Sequence, residues 1–169
     1  MTTSTVAAGI VLLMLCGLFK SQLSAVGWHL VHGRAMTWDG HVLVLPIWWR
    51  PSSDASPRDL SLMKANTFGP DVELKIVKLG SSGFVKPLDP ASKWQGDDVT
   101  RLTSHSRSPG AFKPYTVLTE AGEVYCIGTD NDKFVTSFAC RVAGTDWEFR
   151  FLGDASAAAD ARFIVGSLR

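Results

Sequence analysis

Apolar positions divide the chain into one continuous run near its start and a series of shorter, alternating stretches after it. Across residues 6–19 every side chain is apolar or absent (glycine), and after Lys20 apolar residues resume at Leu23, Ala25, Val26, Trp28, Leu30 and Val31. A spanning helix needs about 20 apolar residues and a signal-peptide core about 7–15, so the run by itself has the length of a signal core. Read as one helix, residues 5–31 reach across a bilayer, with Lys20 snorkelling and Trp28 near an interface. No base precedes the run, and the nearest small-residue cleavage site, Leu23-Ser24-Ala25, is poor. The expectation is therefore an uncleaved anchor or signal helix. A lipoprotein reading at Cys16 fails because bulky Leu15 stands where a small residue should.

The remainder reads mainly as strands. Residues 41–45 form one, and Pro46 and Pro51 punctuate the stretch Ile47-Trp48-Trp49-Arg50. Residues 52–57 are a loop by composition, and residues 60–63 a second short strand. Residues 72–79 alternate, with Val72, Leu74 and Ile76 facing away from Glu73 and Lys75, as in a sheet with one wet face. A short helix weakened by Gly96 is expected over residues 91–103, and a loop over 104–109. Four antiparallel strands follow at 115–119, 124–128, 134–142 and 147–152, joined by turns at Ala121-Gly122, Asp130-Asn131-Asp132 and Gly144-Thr145-Asp146. Trp147, Phe149 and Phe151 share a face opposite Glu148 and Arg150. Gly153 ends that strand, and Asp154 caps a helix to about Leu168 whose stripe is Ala157, Ala161, Ile164 and Leu168. The fold class is α+β: an antiparallel sheet flanked by helices, behind an N-terminal membrane or signal helix. The division expected is an anchor and juxtamembrane segment over residues 1–36 and a domain over residues 37–169.

Composition narrows the function. With 169 residues and 46% hydrophobic content, one domain can bury a real core. Charged residues make up 20% and the net charge is +1, which argues against disorder and against non-specific nucleic-acid binding. Three cysteines are too few for a disulfide-dense scaffold.

Three local patterns resemble the Mog1/PsbP-like fold. They are the strand Val42-Leu43-Val44-Leu45-Pro46 with Trp48 shortly after, the late strand Trp147-Glu148-Phe149-Arg150-Phe151, and the terminal helix closing as Phe163-Ile164-Val165-Gly166-Ser167-Leu168. Together they cover about residues 38–169. The resemblance implies an antiparallel sheet flanked by helices and a binding or accessory role, and it implies no reaction. In the DcrB-type branch a polar, acidic signature follows the tryptophan; here Arg50-Pro51-Ser52 stands in its place.

Several residues invite chemistry. Cys126 and Cys140 lie opposite each other if their hairpin turns near Lys133. They then read either as a disulfide stapling an exported domain or as two small buried hydrophobes. His29, His32 and His41 with Asp39 lack the spacing of a metal site, and Asp130-Asn131-Asp132 lacks the glycine and glutamate of a calcium loop, so no metal is expected. No P-loop, dinucleotide fingerprint or nucleophile elbow occurs, so no cofactor and no catalytic residues are assigned. His105, set among serines, supports only a secondary reading as a small hydrolase. Trp48 and Trp49 are adjacent, so on an extended chain one points into the core. The other, beside Arg50, suits a binding surface, and Trp48, Trp49 and Arg50 are the candidate binding residues.

The expectation is a non-enzymatic accessory or binding module of the cell envelope, held by its N-terminal helix, with the membrane and a protein as partners. Lys20 and Arg34 follow the run, and the positive-inside bias they carry points the domain to the cytoplasm. The cysteine pair points to the exported, periplasmic side, which is the side favoured. A soluble regulator with a buried first helix is the remaining alternative.

Overall fold

The computed structural model describes residue 17 and residues 19–54, 56–66, 72–79, 113–128 and 136–169. The first element is helix α1 (Lys20–His32), which ends where Gly33 takes a φ of +73°, a conformation that favours glycine, and donates its N–H to the His29 carbonyl. The chain then forms a hairpin of β1 (Ala35–Trp38) and β2 (His41–Val44). Its turn is Asp39-Gly40, with φ of +50° and +82°, the primed geometry that matches strand twist.

The remaining strands are β3 (Trp49–Pro51), β4 (Asp59–Lys64), β5 (Val72–Lys78), β6 (Lys113–Thr119), β7 (Gly122–Gly128), β8 (Thr136–Val142) and β9 (Trp147–Gly153). They form one seven-stranded antiparallel sheet in the order β3-β4-β5-β9-β8-β7-β6. Helix α2 (Ala155–Gly166) follows β9 and packs on β8 and β9. Asp154 caps it by accepting the Ala157 N–H at 2.8 Å, satisfying one of the orphan donors of the first turn.

The alternation seen in the sequence sets the core. Leu74 and Ile76 of β5, Phe138 and Cys140 of β8, and Trp147, Phe149 and Phe151 of β9 are buried on the face that α2 covers with Ala157, Ala161 and Ile164. Alanines on the helix let its backbone approach the aromatic face closely. The β1–β2 hairpin closes one end, with Leu43 and Leu45 buried. Val42 and Arg169 exchange backbone hydrogen bonds at 3.0 and 3.1 Å, and Ser167 Oγ accepts the Val44 N–H at 2.9 Å.

The sheet with two helices matches the α+β class, and strands stand where the alternation placed them within a residue or two. Two features go beyond the alternation. Residues 35–38 form a strand that the alternation does not mark, and the boundary between residues 36 and 37 falls inside it. Glu148 is not on a wet face; it is fully buried, and Ile127, Ala139 and Arg141 on the same side are buried too. The helix expected over residues 91–103, the loop over 104–109 with His105, and the Asp130-Asn131-Asp132 turn lie outside the described residues.

Candidate functional site

The candidate binding residues sit where α1 meets the turn between β2 and β3. Pro46 accepts the Trp49 N–H at 2.8 Å, closing the turn, and Ala65 donates to the Trp48 carbonyl. His29 ties helix to turn. Its Nε2 lies 3.0 Å from the Pro46 carbonyl and 2.9 Å from that of Trp49, while Nδ1 lies 2.8 Å from the Gly33 carbonyl. A carbonyl oxygen only accepts, so whichever ring nitrogen carries a proton donates.

The two tryptophans differ in burial, Trp48 standing in the turn and Trp49 opening β3. Trp49 is wholly buried, and its Nε1 donates to Asp160 on α2 at 3.1 Å. Asp160 also pairs with Lys64 at 2.8 Å, so one carboxylate joins β3, β4 and α2. Trp49 is thus a core residue and offers no binding surface. Trp48 remains 44% exposed beside exposed Ile47. Arg50 is half-buried; its Nη1 donates to the Pro51 carbonyl at 3.3 Å, and its Nε is buried with no hydrogen-bond partner among the described residues.

Among the described residues, His29, His32 and His41 do not converge on one site. His32 bonds back to the Trp28 carbonyl and stacks on the Trp28 ring at 4.9 Å, while His41 Nδ1 lies 3.3 Å from the Arg169 carbonyl. Asp39 accepts the Trp147 Nε1–H at 3.0 Å and pairs with Lys78. The bond from Lys78 chiefly holds the Asp39 carboxyl below the usual carboxylate range, and Trp147 adds to it. Among the described residues no three metal-ligating side chains come together. The role of Asp39 as a hairpin corner had a signal in the sequence, the Asp-Gly dipeptide between strand-like residues.

Cys126 and Cys140 are register partners on β7 and β8 and are joined by a disulfide. On the opposite face of the sheet, Glu148 of β9 accepts from Arg141 Nε of β8 at 2.8 Å and from Arg150 Nε at 2.6 Å. Arg141 is buried with it, whereas Arg150 is partly exposed. A charged residue is tolerated at such depth only when paired. Alternation alone hides this network, because a glutamate opposite an aromatic row reads as solvent-facing.

No family model matches this chain, and no curated protein matches it. No described helix is long and apolar enough to cross a membrane.

Proposed function

We propose that this chain is a non-enzymatic accessory or binding module of the cell envelope. It is held at the membrane by its first segment, and the surface around Trp48 and Arg50 makes its outward contact. The observation that carries the reading is the composition of that segment: residues 6–19 hold no polar side chain except Cys16, and the first acid in the chain is Asp39. The Mog1/PsbP-like pattern favours an accessory role. The described polar groups favour it as well, since His29, Asp39, Glu148 and Asp160 each hold one element to another and Asp154 caps its own helix. The Cys126–Cys140 disulfide supports the exported side, where such bonds persist.

Cysteine accessibility tests this directly. Ser53 is exposed in the loop after β3, and in intact cells a Ser53→Cys chain should react with a membrane-impermeant maleimide. Reaction only after lysis would place the domain on the cytoplasmic side. Recovery of the chain without any membrane fraction would favour the soluble regulator.

A further inference from the structure

Helix α1 leaves much of its apolar surface exposed. In water a surface helix buries its apolar stripe and turns polar residues outward. Here Ala25 is fully buried, Trp28 packs against the core, and Ser21, Gln22, Val26 and His29 are half-buried, so polar and apolar residues share the side that leans toward the protein. The outward side carries Phe19, Leu23, Leu30 and Val31, of which Leu30 is 83% and Val31 78% exposed. Phe19, Leu23 and Leu30 are spaced by four and seven residues and share one side of the helix. Only Lys20, Ser24 and His32 interrupt that exposed surface with polar groups. His29 then fixes the β2–β3 turn against the helix, setting exposed Ile47 and Trp48 beside it.

We infer that this surface, the outward side of α1 with the Ile47 and Trp48 tip of the turn, lies in the headgroup and acyl boundary of a lipid bilayer. The inference rests on the anchoring reading and adds to it which face of the domain touches lipid. Three observations choose lipid as the occupant. The apolar run of residues 6–19 leads straight into the exposed stripe, so the phase that takes up the run adjoins the stripe. No acid occurs before Asp39, while Lys20 and Arg34 are exposed and complement anionic headgroups. Tryptophan beside an apolar surface is the side chain enriched at that boundary.

The test uses the full chain carrying Cys16→Ser, with a polarity-sensitive fluorophore on Leu30→Cys, Trp48→Cys or, at the far edge strand β6, Leu118→Cys. All three sites are exposed, and Val31→Cys and Ile47→Cys replace the first two if either fails to fold. Vesicles of phosphatidylcholine mixed with phosphatidylglycerol are added, and flotation is recorded in parallel. The expected result is a blue shift at positions 30 and 48 and none at 118. Floating chains whose labels at 30 or 48 stay in water would overturn the inference while leaving the anchor in place. Chains that do not float at all would overturn the anchoring reading and this inference with it.

Discussion

Trp48 and Trp49 differ in what surrounds them rather than in kind, and that difference sets their energetics. Trp49 fills the space between β3 and α2 and donates to Asp160, so Trp49→Ala is expected to cost about 3–5 kcal/mol, the range for emptying a large aromatic site. Trp48→Ala should stay within about 0.5 kcal/mol in water, because an exposed side chain leaves no cavity. Urea unfolding of the two variants measures both. The sequence shows that one of the pair must be core, but not which, because the choice depends on a contact with Asp160 more than a hundred residues away. Asp154 was more legible: a glycine, an aspartate and an alanine-rich run suffice to read a cap. Its carboxyl is held below the usual carboxylate range mainly by the Ala157 N–H. A depressed folded-state value means the contribution is complete above the unfolded value and drains away as pH falls through the folded one. Asp39 follows the same sign. Asp154→Ala should therefore cost about 1 kcal/mol at neutral pH, typical of a lost cap, with the gap to the parent narrowing in acid. Denaturation midpoints at both pH values give the answer.

At the scale of elements, β7, β8 and β9 are fastened twice, by a disulfide on the core side and by a charge network on the other. The cysteines close a short loop, with a sequence separation of 14. Replacing both by alanine should cost about 3 kcal/mol, and reductant should have the same effect on the parent but none on the variant. Glu148→Ala deprives buried Arg141 of that carboxylate and is expected to cost about 3–5 kcal/mol. Combining Glu148→Leu with Arg141→Met should recover much of the loss, since apolar replacements of a buried pair leave no charge stranded. Periodicity finds these strands easily, because apolar residues on one face suffice to mark them. It misses β1, where Ala35, Met36, Thr37 and Trp38 continue the apolar character of α1 and the Asp-Gly turn is the clearer cue. It also misses the burial of Glu148, which depends on which strands become neighbours.

The whole molecule poses a question of phases. A seven-stranded sheet, a capping helix and a buried core account for most of the described residues from α1 onward. Residues 6–19 are as apolar as a signal core, and the helix after them leaves Leu23, Leu30 and Val31 exposed. The run itself is plain in the sequence. The exposure of Leu23, Leu30 and Val31 on α1 is not, because a mixed helix reveals its outward side only once its partner is known. Residues 6–19 are also the part whose removal discriminates best, since Ala25 and His29, which attach α1 to the domain, remain. The decisive measurement is flotation with lipid vesicles after an alkaline carbonate wash, for the full chain and for a version starting at Lys20. The account predicts that the full chain rises with the vesicles while the shortened one stays behind, folded and melting at the same temperature. A full chain that remains in the aqueous fraction, or a shortened chain that floats as firmly, would contradict it.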